Sequence, residues 1–208
     1  MRPKTIIISP DAADRNGVCL AQTPAVAGNL TIAGALATGG VATMDIARHL
    51  SIYSDADESG VTFTITGTDR NGAALTETIV GPNATTTNGL RNFLTVTQVA
   101  VDAAGTGNVE VGSADELETK WYPADHYKTD YYSYSVQLSS GASLTHRLEY
   151  TLDDVYADAF TEYGAAIFED LGDSAIDVSS KLSSQLLTAY RLNITVFSSG
   201  TATLRVLQ

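Results

Sequence analysis

Cys19 is the chain's only thiol, which excludes an intramolecular disulfide and any multi-cysteine metal site. It reads as a buried bystander. Positive charge is also scarce: 12 Lys and Arg stand against 24 Asp and Glu, a formal net charge of −12. Phosphate binding needs clustered basic side chains, so a nucleic-acid partner is excluded, and a basic partner surface or a plain solubilising role fits the acidity. Charged residues of both signs make up 17% of the chain, below the roughly 25% usual for globular domains. No apolar run approaches the ~18 residues of a membrane span, so no membrane partner is expected. Ile6-Ile7-Ile8, behind Pro3, is too short for the apolar region of a signal peptide, so a soluble product made in a cytoplasm is expected.

Catalytic furniture is missing as well. His49, His126 and His146 lie in separate segments at unrelated spacings and form no two-histidine metal pair. Cys19 has no base beside it, and no Gly-x-Ser-x-Gly elbow or phosphate-binding loop occurs. Asp153-Asp154 and Glu169-Asp170 supply carboxylates of the kind a glycosidase uses, but in an acidic segment they read as a solvated face. Asp55 to Gly60 resembles the start of a calcium loop; the bidentate glutamate required at loop position 12 is Thr66, so the match fails. The expectation is a protein that is not an enzyme and holds no cofactor and no metal.

What is present instead is threonine, serine and glycine in strand patterns. Val61, Phe63 and Ile65 alternate with Thr62, Thr64 and Thr66, the period of a half-buried strand. Asn71-Gly72 suits a tight reversal, read as a type I′ turn with positive φ at Gly72, and Leu75 to Val80 returns as the partner. Further strands are expected at Thr5 to Ser9, Val18 to Leu20, Asn29 to Ile32, Leu50 to Tyr53, Phe93 to Val101 and Val109 to Gly112. Gly34 to Met44 reads as a loop. The second half repeats the style at Tyr132 to Leu138, Leu144 to Leu152, Ala189 to Phe197 and Thr201 to Leu207. Ser139 to Ala142 and Ser198 to Gly200 read as hairpin turns, Asp153 to Leu187 as a long connection, and Ser179 to Leu187 as a turn or two of helix.

Short strands at regular intervals predict an all-β fold of two antiparallel β-sandwich or jelly-roll-like modules. The expected modules are 1–114, with a basic arm at Met1 to Lys4, and 115–208, with the loop 153–187; the boundary falls in the charged connector Ser113 to Lys120. Aromatics with polar tips favour protein interfaces and sugar-binding grooves alike, and they also plug cores. Candidate contact residues are therefore Arg2 and Lys4 of the arm, Trp121, Tyr122, Tyr127 and Tyr131 of the aromatic cluster, and Tyr156, Phe160 and Phe168 of the long loop.

Two stretches resemble small structural proteins of tailed-bacteriophage virions. One is Ser51 to Ala114, with its hairpin, the break Gly81-Pro82-Asn83, and Asn108-Val109-Glu110-Val111-Gly112. The other runs from Ala189-Tyr190-Arg191-Leu192-Asn193-Ile194-Thr195 to Thr201-Ala202-Thr203-Leu204-Arg205-Val206-Leu207-Gln208, preceded by Leu148 to Val155. The resemblance implies an all-β, non-enzymatic virion component present in many copies, without fixing its place on the particle; together with the composition, the leading expectation is a capsid decoration or cement protein on the major capsid protein. A neck, collar or tail accessory protein binding other virion proteins is the alternative, and a glycan-binding β module is a third. A homo-oligomer, trimer or dimer, is expected because exposed strand edges need pairing or cover.

Overall fold

The structure, a computed structural model, describes residues 3–124, 132–157, 160, 167–182 and 187–207, with the backbone alone at 3, 132, 168–171 and 180–182. The fold is all-β, every described pairing is antiparallel, and no helix occurs among the described residues. Two compact units emerge, residues 13–117 and residues 1–12 with 118–208. Sequence placed 1–114 together; the structure instead gives the first strand, β1 (Pro3–Ile8), to the unit formed with the C-terminal half.

In the 13–117 unit the strands follow as β2 (Cys19–Gln22), β3 (Gly28–Asn29), β4 (Ala37–Thr38), β5 (Val41–Ser54), β6 (Thr62–Thr68), β7 (Ala74–Val80), β8 (Thr86–Asn88), β9 (Phe93–Val101) and β10 (Val109–Glu118, entering the second unit at Glu118). The main order is β10-β5-β9-β6-β7; β2 joins β10, β3 joins β9, and β4 and β8 join β5. Strict alternation on β6 and β7 sends Phe63, Ile65, Leu75 and Ile79 inward, where they meet Leu50, Ile52, Phe93, Val96, Val99, Val109 and Val111 in one apolar core. Burying each such side chain contributes on the order of 1.5–3 kcal/mol.

The turn joining β6 to β7 differs from the type I′ expectation. Gly72 has φ 82°, but Asn71 does not share a positive φ. The Gly72 amide donates to Asp69 O at 3.1 Å, and the Asp69 amide to Ala73 O at 2.9 Å. This is a type I turn followed by a left-handed glycine, the other short hairpin solution. Asp69 Oδ1 fastens it by accepting from the Asn71 and Ala73 amides at 2.8 and 2.9 Å. The paired positive φ values fall instead on Gly39 and Gly40, at 62° and 83°, between Thr38 and its partner Val41. Gly34 to Met44 is thus no loop but contains a hairpin opening the 14-residue strand β5.

The second unit contains β1 and, in order, β11 (Tyr122–Pro123), β12 (Tyr132–Leu138), β13 (Ser143–Thr151), β14 (Phe168–Ser174), β15 (Val178–Leu182), β16 (Ala189–Ser199) and β17 (Ala202–Leu207). They divide between a sheet ordered β1-β17-β12-β15 and the run β14-β13-β16, with β11 on β16. Ser139 to Ala142 and Ser198 to Gly200 do not close hairpins. The first carries the chain from β12 in one sheet to β13 in the other, the second from β16 to β17. Both corners touch: the Ser139 amide donates to Thr201 O at 2.9 Å, and the Thr201 amide to Ser139 Oγ at 3.0 Å. Ser179 to Leu182 is strand β15 and not helix, because Val178 to Leu182 pairs along β12; residues 183–186 lie outside the described residues.

Candidate protein-contact site

The site grows from β16. Alternation puts Tyr190, Leu192 and Ile194 on one face and Arg191 and Asn193 on the other, yet all five are buried. An arginine held there must be compensated, since an unpaired buried charge costs several kcal/mol. Register supplies the partner: Glu149 on β13 stands opposite Arg191. Arg191 Nε donates to Glu149 Oε2 at 2.6 Å, and its Nη atoms fork onto both oxygens of Glu118 at 2.6 and 2.7 Å. Glu149 Oε1 also accepts from Asn193 Nδ2 at 2.9 Å and Arg147 Nε at 3.0 Å. Side-chain exposures of 3%, 2% and 12% for Arg191, Glu149 and Glu118 make this a desolvated, forked ion cluster, the strong class of charge-assisted bonding.

Trp121 is set by that cluster. The Arg191 guanidinium carbon lies 4.4 Å from the indole ring centroid, and the side chain is 7% exposed. The guanidinium and the burial leave no broad ring face in solvent, so Trp121 acts as a plug and not as a presented aromatic. Among the readings open to the aromatic cluster, Trp121 takes the place of a core plug within the chain.

Tyr122 sits differently. Pairing of Tyr122 with Tyr190 fixes β11 on β16, and the two rings lie 6.0 Å apart at 31°. Lys4 brings its Nζ 4.6 Å from the Tyr122 centroid, and Lys120 brings its own 5.7 Å from it. Burial first, and the Lys120 charge second, hold the Lys4 ammonium below its ordinary pKa. Lys4 does not belong to a free arm: it is paired within β1 against Val206. Arg2 lies outside the described residues, as do Tyr127 and Tyr131.

The long-loop candidates are not joined to this group by any described contact. Tyr156 is 68% exposed on a turn whose Asp154 Oδ1 accepts the Tyr156 amide at 2.9 Å. Phe160 is half-buried, its amide donating to Ala157 O at 2.9 Å. Phe168 begins β14 opposite Tyr150, with only its backbone described. Lys120, Tyr190 and Arg191 complete the site and were not singled out by sequence. Their signal was faint: a lysine beside the aromatic run, and a polar alternation on β16 that reads as a solvent face.

Titratable groups elsewhere serve the fold. Burial pushes the Cys19 thiol up to about 12. His49 Nδ1 lies 3.3 Å from Glu116, and buried His146 has Nε2 3.2 Å from Ile176 O. The calcium-loop look-alike is a turn clamp. Glu58 Oε1 accepts the Thr106 and Gly107 amides, both at 2.7 Å, and Asp55 accepts the Asn108 amide at 2.7 Å. Among the described residues no group of three His, Cys, Asp or Glu is disposed to hold a metal. Among the described residues no helix is long and apolar enough to cross a membrane. No protein-family model matches the chain, and no curated protein matches its sequence.

Proposed function

We propose that the protein is a non-enzymatic virion structural component, most specifically a capsid decoration or cement protein that binds the major capsid shell. The observation that carries this reading is the edge of the four-stranded sheet. β1 has β17 on one side and no described strand on the other, and it carries Ile7 at 70% exposure. An open β edge with an exposed β-branched side chain calls for a partner strand or a covering surface, which repeated assembly on a particle supplies. The same edge suits a homo-oligomer. The resemblance of Ser51 to Ala114 and Ala189 to Gln208 to phage virion proteins supports the particle setting.

The test is a comparison of purified particles with and without the protein. Cement predicts hundreds of copies per particle, normal assembly in its absence, and earlier loss of DNA on heating or chelation. Stable full heads with unattached tails, and about a dozen copies per particle, would replace this reading with a neck or tail role.

A further inference from the structure

Where this acidic chain buries positive charge, it matches it closely. Arg48 sits on Asp45, and Arg191 on Glu149 and Glu118. Lys4 and Lys120 break that habit. Their ammoniums converge on one ring, 4.6 and 5.7 Å from the Tyr122 centroid, and neither has a carboxylate partner among the described residues. They come from distant parts of the sequence and are held by the fold. β1 is fixed along β17 from Pro3 to Ile8, and the Lys120 to Tyr122 segment is fixed by β11 on β16. Tyr122 and Lys4 are half-buried and Lys120 is exposed, so the group opens to solvent.

Bringing like charges together costs free energy, and a tyrosine face returns only about 0.5–1 kcal/mol per exposed cation. An anion between the ammoniums would remove the repulsion and gain two charge-assisted bonds. We infer that Lys4, Lys120 and Tyr122 form a binding site for an acidic segment of a partner protein, whose carboxylates pair with the two ammoniums from the solvent side of the group. A polyanion such as nucleic acid is disfavoured because the net charge of −12 repels it over long range, whereas a short acidic segment brings only local charge. This site stands or falls independently of the virion reading, since it requires only a protein partner with clustered Asp or Glu.

The experiment titrates the full chain, at about 0.1 M ionic strength so that long-range repulsion is screened beyond about 10 Å, with a capped hexapeptide of alternating aspartate and glutamate. Amide chemical shifts and the fluorescence of Trp121, the sole tryptophan, report binding. The expected result is a saturable response centred on Lys4, Lys120 and Tyr122, weakened about tenfold or more by Lys4→Gln with Lys120→Gln and by added salt. Lys120→Gln alone, at an exposed position, is expected to lose part of the affinity and guards against misfolding of the double variant. Lys4→Arg with Lys120→Arg is expected to keep binding. No saturation at millimolar peptide, an equal response to the asparagine–glutamine analogue, unchanged affinity in the glutamine variants, or tighter binding of inorganic phosphate would each overturn the assignment.

Discussion

The two units differ in how far their carboxylates act together. In the unit over residues 13–117, Asp55, Glu58, Asp69 and Asp102 accept backbone amides at turns and strand ends, around an apolar core. In the unit over 1–12 and 118–208, Glu118 and Glu149 converge on Arg191 in mid-sheet. Fragility therefore concentrates in the second unit. A turn carboxylate is one of several local fastenings, each worth about 1 kcal/mol in net terms. A desolvated ion cluster is collective, because removing one member strands the others as buried charge.

The largest effect should come from breaking that cluster. Arg191→Met is expected to cost about 3–5 kcal/mol, read as a fall in the urea midpoint. A cost below about 1 kcal/mol, the size of a surface pair, would erase the contrast. Next comes the turn of the first unit. Gly72→Val is expected to cost about 1–3 kcal/mol, since a β-branched residue is strained at φ 82°. An unchanged melting temperature would remove the left-handed glycine from the account.

Acid sharpens the comparison further. Burial lowers the His146 pKa from 6.5, so the unfolded chain binds the proton more readily than the folded one. Its contribution is complete above 6.5 and is lost as pH falls through the lowered folded value. In the other unit, the Asn108 side chain and amide lower Asp55, and the Thr62 amide lowers Asp102, from 3.8. Those contributions survive to lower pH and disappear only below that value. Hydrogen exchange across a pH series should therefore show β12 and β13 softening before β6 and β9, with His146→Gln removing the early step. The smallest effect is expected at the surface, where Lys4→Gln should change stability by about 0.5–1 kcal/mol in a thermal melt.

Strand positions were legible where alternation was undisturbed. Phe93 to Val101 and Tyr132 to Leu138 are strands end to end as read. The first part of β5 was missed, although Leu50 to Tyr53 was read as strand, because Ala42 and Met44 alternate with Thr43 and Asp45 without a bulky apolar stripe; Gly39-Gly40 carried the hairpin signal. Ser139 to Ala142 announced a tight reversal, but local chemistry is the same whether the chain re-pairs or crosses to a second sheet. The place of β1 rests on pairing Pro3 with Leu207, a partnership with no local signature. The same distance hid the contact site: Lys4 and Tyr122 were both candidates, but only the seating of β1 brings them together. Arg191 was illegible as a buried ion because its period-two polar face looks identical to a solvated one.

The second unit and its Lys4–Tyr122 site both depend on that seating of β1. Hydrogen exchange on the chain lacking residues 1–8 tests it most directly. The amides of β17 and β12 are expected to lose protection while those of β6, β7 and β9 keep theirs. Unchanged protection in β17, or a loss confined to the unit over 13–117, would contradict it.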